Sequence, residues 1–213
     1  MMALSALDHL VVAAASLQQG EDYIEARLGA RPRRGGKHVA MGTHNSVLRV
    51  GKRIYLEVIA IDPDATAPAT PRWFELDRTQ MQSALSASPC LIHWVARSED
   101  IKAARAACLV DPGPVHELAR GDYRWRITIP ADGHLPGDGL LPTLIQWSDA
   151  RHPTDAMPDE RIELTALAAT HPAPAPIRAT LAKLGLSETL KVSYDARPRL
   201  AAMFSTPRGP VTL

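Results

Sequence analysis

Histidine and carboxylate residues recur at matched places in two stretches of the chain. "LDHLVVAAASL", from Leu7 to Leu17, puts Asp8 and His9 at the head of an apolar run, and "LIHWVARSEDI", from Leu91 to Ile101, places His93 opposite His9. The runs "IYLEVIAI" and "PTLIQWSD" align as well, and set Glu57 against Gln146. Imidazole and carboxylate are residue types that ligate divalent metal ions. A histidine at the head of a strand also serves as a hydrogen-bonded core residue, and the residue types alone leave both readings open.

A second group of candidates surrounds these. In "GGKHVAMGTHN" the glycines permit close backbone approach, and His38, Thr43 and Asn45 offer donors to a bound molecule; the same segment also reads as a plain hairpin with polar turn residues. It is not a phosphate-binding fingerprint, because strand, glycine loop and helix do not follow in the needed order. Trp125 and Trp147 read as walls of a substrate cavity or as core filling. His152, in "WSDARHP", is a candidate base, set against its reading as an exposed loop histidine.

The elements that must position these residues follow from turn and capping signals. Ser16, with Gln19 three positions on, predicts a helix start; Leu17, Ile24 and Leu28 share its buried face, and Gly29 ends it. Three strand candidates follow, "RPRRGGKHVAM", "THNSVLRV" and "RIYLEVIAI", completing a βαβββ unit. The second copy has Ser98 as the helix cap and the strands "GPVHELA", "YRWRITIP" and "LLPTLIQWS". The expected organisation is a first module over residues 1–61, a linker with a short outer helix over 62–89, a second module over 90–149, and a partial third βαββ module over 150–213 packed on the pair. In the third echo Leu164 stands where the histidines stand, so that unit reads as structural.

Composition sets the class. The chain has 213 residues, 46% hydrophobic and 22% charged with a formal charge of +1, which fits an ordinary soluble core and presents no basic face for nucleic acid or anionic lipid. The opening "MMALSALDHLVVAAAS" has no basic residues ahead of its apolar part, and two cysteines support no disulfide framework, so the expected address is cytoplasmic. A small-molecule substrate is the expected partner, with no nucleic acid and no membrane, and a homodimer is compatible with this reading.

Taken in order, "LDHLVV", "GGKHVAMGTHNSVLRVG", "YLEVIAID", "YRWRITIP" and "LLPTLIQWSDARHP" resemble the vicinal oxygen chelate superfamily, and more narrowly its glyoxalase-like domain proteins. The resemblance implies an α+β fold of paired βαβββ modules in a cupped mixed sheet, with a divalent metal ion (zinc, nickel, manganese or iron) held by His9, Glu57 and His93 and with Gln146 at the fourth position. In the glyoxalase I branch that position carries a carboxylate base, and an amide cannot take its proton, so ordinary glyoxalase I activity is not expected. Two function classes remain: a metal-dependent isomerase, lyase or dioxygenase acting on a small oxygenated substrate, and a non-catalytic module that sequesters a small molecule.

Overall fold

The computed structural model describes residues 5–213. Residues 1–4, which open the first expected module, lie outside the described residues. The first unit runs β1 (Ser5–Ala13), α1 (Leu17–Leu28), β2 (Arg33–His38), β3 (Thr43–Gly51) and β4 (Ile54–Ile61). A short 3-10 turn (Trp73–Glu75) and α2 (Thr79–Ala87) lead to β5 (Cys90–Ser98), α3 (Ile101–Ala107), β6 (Val115–Arg120), β7 (Tyr123–Thr128) and β8 (Thr143–Trp147). These eight strands form one mixed sheet in the order β2-β3-β4-β1-β5-β8-β7-β6, which curls until its edges β2 and β6 approach each other.

Helix α1 starts where its capping residues require. The Ser16 hydroxyl accepts from the Gln19 N–H at 3.2 Å, and the Gln19 side-chain oxygen accepts from the Ala15 N–H at 2.9 Å. Gly29, in the left-handed region, returns its N–H to the Glu25 carbonyl. The cap of α3 is Asp100 rather than Ser98: Ser98 still belongs to β5, and the Asp100 carboxylate takes the N–H groups of Lys102 and Ala103.

The join between the units is the antiparallel pair β1·β5. His9 pairs with Val95, Leu10 with Trp94 and Val11 with His93, so a local two-fold passes beside Leu10 and relates each β1 residue to the one 84 positions later. His9 and His93 are therefore true counterparts. Strand alternation then divides the core. Leu10, Val12, Trp94 and Ala96 face the helices, while Val11, Ala13 and Val95 face into the cup.

The C-terminal part makes its own sheet. It consists of β9 (Glu163–His171), α4 (Pro174–Lys183), β10 (Lys191–Tyr194), β11 (Arg199–Thr206) and β12 (Gly209–Thr212), in the order β10-β9-β11-β12. Its first strand lies inside the sheet between β10 and β11, an order different from that of the two cup-forming units. Leu167, Ile177, Leu181 and Phe204 join the core on the helix side of the main sheet, and no cavity-lining residue of the cup comes from this part. No helix among the described residues is long and apolar enough to cross a membrane.

Candidate functional site

The cup closes around His9, and a fault in β1 aims it. The register with β5 shifts between Leu7 and His9, so Asp8 is an extra residue there; a bulge of this kind brings two successive side chains to the same side of a strand. The two side chains accordingly meet: Asp8 Oδ1 accepts from His9 Nδ1 at 2.7 Å, and the imidazole stacks on Tyr55 with ring centres 4.5 Å apart. Fixing Nδ1 in this way turns Nε2 toward the cavity, where it stands 3.7 Å from Glu57 Oε2.

Asp8 is fully buried and takes three donors. Its second oxygen accepts from Trp147 Nε1 at 2.9 Å and from His152 Nε2 at 3.2 Å. Burial opposes its ionisation, but the hydrogen bonds from His152 and His9 outweigh burial and hold the carboxyl well below the usual range. His152 is thus no exposed loop residue: it is completely buried, and its Nδ1 accepts from the Thr154 N–H at 3.3 Å. It does not line the cavity as a base; it stands behind Asp8 and holds it.

On the other flank, Asn45 Nδ2 donates to Glu57 Oε1 at 2.5 Å, and His38 Nε2 lies 3.8 Å from the same oxygen. His38 Nδ1 is bonded to Thr43 Oγ1 at 3.1 Å. Burial lowers the His38 pKa to about 4, so the ring is neutral near pH 7. The hairpin segment therefore brings His38, Thr43 and Asn45 together around Glu57. Trp125 and Trp147 line the cavity, with ring centres 5.6 Å apart.

Two expected members of the site lie elsewhere. Val11 pairs with Glu57 across β1·β4, and its counterpart Val95 pairs with Thr143 across β5·β8, so the residue equivalent to Glu57 is Thr143 and not Gln146. Three positions is an odd step along a strand and puts the side chains on opposite faces. Gln146 points away from the cup, where its amide donates to the Glu99 carbonyl and accepts from the Ile101 N–H and from Arg126. Gln146→Glu is accordingly expected to leave any activity of the cup within about twofold of the native rate and to weaken the start of α3, losses of about 1 kcal/mol being ordinary for such a contact; a large gain in isomerisation of the hemithioacetal of methylglyoxal would contradict this placement.

His93 is fully buried and has no lone pair to offer. Its Nδ1 donates to the Gly139 carbonyl at 2.9 Å, and its Nε2 accepts from the Thr143 N–H at 3.1 Å. Burial pushes its pKa down to about 4. The implied metal ligands His9, Glu57 and His93 therefore do not fit a shared ion, and among the described residues no three His, Cys, Asp or Glu side chains form a group that could hold one. An ion at His9 and Glu57 would need donors other than His93.

The segment between the two units is more than an outer helix. α2 lies on the outside, but Trp73 and Phe74 reach across the mouth of the cup, Trp73 edge-on to His38 at 5.1 Å and Phe74 against His93 at 5.3 Å. Phe74 and Glu75 have φ of 60° and 58°, a backbone region costly for side chains of this kind. Gly133 holds this turn by accepting the Glu75 N–H at 2.8 Å, and a Cβ at Gly133 would overlap the Arg72 carbonyl. The cavity that Trp73 and Phe74 help to line is only about 20 Å³, room for about one water molecule, so its lining must open before a substrate enters.

The profile of the family described as "Glyoxalase-like domain" matches residues 7–185. No curated protein matches the chain. Among solved structures, a hypothetical protein from Staphylococcus aureus shares 11% identity over 92% of this chain and 88% of its own, with a TM-score of 0.60. Methylmalonyl-CoA epimerase from Mycobacterium tuberculosis shares 16% identity over 68% of this chain and 88% of its own, with a TM-score of 0.41.

Proposed function

We propose, since the chain belongs to the glyoxalase-like domain family, that it is an enzyme of the isomerase or lyase kind which moves a proton on a small oxygenated substrate held inside the cup. The observation that carries this reading is the pair His9 Nε2 and Glu57 Oε2, 3.7 Å apart in the lining of one cavity, with the buried Asp8 carboxylate fixing the ring from behind. Two groups that accept and release protons, side by side and facing one bound molecule, suit transfer at a carbon next to a carbonyl. In this scheme Glu57 takes the proton from carbon, the C–H electron pair becomes the enediol double bond, and Nε2 of a protonated His9 gives its proton to the carbonyl oxygen; His9 then takes the proton of the neighbouring hydroxyl as the new carbonyl forms, and Glu57 returns its proton to the other carbon, which isomerises the substrate. Asn45 orients the Glu57 carboxylate, and Trp73 and Phe74 exclude water when closed. No step is assigned to a metal ion, because His93 does not complete a ligand set.

The aromatic lining favours a second reading, a module that sequesters a small molecule without turning it over. The two separate in deuterium oxide. Incubation with lactate, pyruvate, glyceraldehyde, hydroxyacetone and dihydroxyacetone, followed by proton NMR, is expected to show protein-dependent loss of a carbon-bound hydrogen signal from a compound that binds. Binding without any exchange would leave the sequestering module in its place.

A further inference from the structure

We propose that Arg120, together with the indole N–H of Trp73, forms an anion seat in the cup, so that the substrate of the reaction proposed above carries a carboxylate. The inference rests on reading the cup as the reactive site, and it names the class of molecule that site accepts.

Arg120 ends β6, in the second unit, and crosses to the first. The crossing is possible because β2 presents Gly35 and Gly36 at the closing edge of the sheet: a Cβ on Gly36 would stand 2.8 Å from Arg120 Cδ, and one on Gly35 would overlap the Asn45 side-chain oxygen. The guanidinium thereby lines the cavity that holds His9 and Glu57. Of its five N–H donors one is engaged, Nη1 donating to Asn45 Oδ1 at 2.9 Å.

Among the described residues no carboxylate pairs with Arg120. Arg31, Arg72, Arg105 and Arg151 each hold a carboxylate at 2.9 Å or less, and Arg97, Arg124 and Arg126 donate to carbonyl or amide oxygens instead. Asn45 explains why Arg120 does not pair with Glu57. Its amide nitrogen is spent on Glu57 and its oxygen on Arg120, so it spaces the two charges and prevents the direct pair that would cancel both.

A second, independent donor belongs to a residue of the same cavity lining. Trp73 is only 4% exposed, yet its Nε1 has no acceptor. A buried N–H without a partner is costly and rare, and an oxygen of a bound anion would satisfy it. A planar guanidinium with free N–H groups matches the two oxygens of a carboxylate, and its charge offsets that of Glu57, which would otherwise repel an acid.

The test is calorimetric titration of the full chain with glycolate, lactate and pyruvate, beside inorganic phosphate and the neutral glycolamide, lactamide and hydroxyacetone. The acids are expected to bind at least about tenfold more tightly than the neutral compounds, with Arg120→Gln losing about 10- to 100-fold and Arg120→Lys recovering part of the loss. Trp73→Phe, which keeps the ring and removes the N–H, is expected to weaken the acids several-fold and so reads the seat independently if the Arg120 variants unfold. Equal binding of neutral compounds, phosphate binding in preference to every acid, no binding of any acid, or native affinity in both Arg120→Gln and Trp73→Phe would each overturn the assignment. Acids that bind but exchange no hydrogen would overturn proton transfer and leave the seat standing; exchange confined to neutral compounds would do the reverse.

Discussion

Glu57→Gln is expected to lower protein-dependent exchange at the substrate carbon by about 100- to 10,000-fold, the range that a positioned acid–base group contributes. The substitution keeps the volume of the side chain, and its amide oxygen can still accept from Asn45 Nδ2, which bonds Glu57 Oε1 in the native protein. What it removes is the site that takes the proton. His9→Gln should fall into the same range, because Nε2 is the cavity-facing atom of that ring. Asp8→Asn is expected to act differently, as the loss of a positioning residue. Asp8 accepts from His9, Trp147 and His152 while fully buried, so an amide there sets a donor against donors and leaves the cluster without its charge. Breaking a buried charged cluster of this kind costs about 3–5 kcal/mol of stability. Urea unfolding should show that loss in Asp8→Asn, whereas Glu57→Gln should unfold within about 1 kcal/mol of the native protein. Exchange by Glu57→Gln within tenfold of native would remove Glu57 from the role of base.

Stability is expected to fall as the pH drops below about 6.5, before most carboxylates titrate. His38 and His93 are both held neutral by burial, with pKa values near 4, against an ordinary value of 6.5 in the unfolded chain. Between pH 4 and 6.5 the unfolded chain therefore binds more protons than the folded one, and stability rises with pH across that window and levels off above it. Each ring contributes up to about 3 kcal/mol by this linkage. His93 shows the cause in atoms: a proton on Nε2 would face the Thr143 N–H that this atom now accepts. Asp8 adds to the loss at lower pH, because its folded pKa is depressed and its stabilisation, present above about 4, disappears as the pH falls further. Urea midpoints at pH 7.5, 6.0 and 5.0 should fall in that order. His93→Gln, which can still accept from Thr143 and donate to Gly139, should flatten the dependence. A midpoint that rises between pH 7.5 and 5.0 would contradict the neutral, buried state of both rings.

The sequence by itself determined the two-fold organisation of the cup and the start and end of α1. The apolar strands "LDHLVV" and "LIHWVA" carry enough periodic information to align His9 with His93, and Ser16, Gln19 and Gly29 act on backbone groups only a few residues away. Local signals of that kind need no partner from a distant part of the chain. The site depended on what they do not contain. A one-residue bulge turned Asp8 to the same side as His9, and a three-residue error in matching the closing strands exchanged Thr143 for Gln146, which moved the candidate to the other face of the sheet. His93 kept its place on the strand and lost its availability, since Gly139 and Thr143 come from a loop and strand far along the chain. His152 was buried by Asp8, Trp73 and Phe74 were folded over the mouth by a turn seated on Gly133, and Arg120 reached the cavity because the curled sheet brought β6 against the glycines of β2. Alternation along a strand fixes which residues share a face; only closure of the sheet decided which faces, edges and loops met around His9 and Glu57.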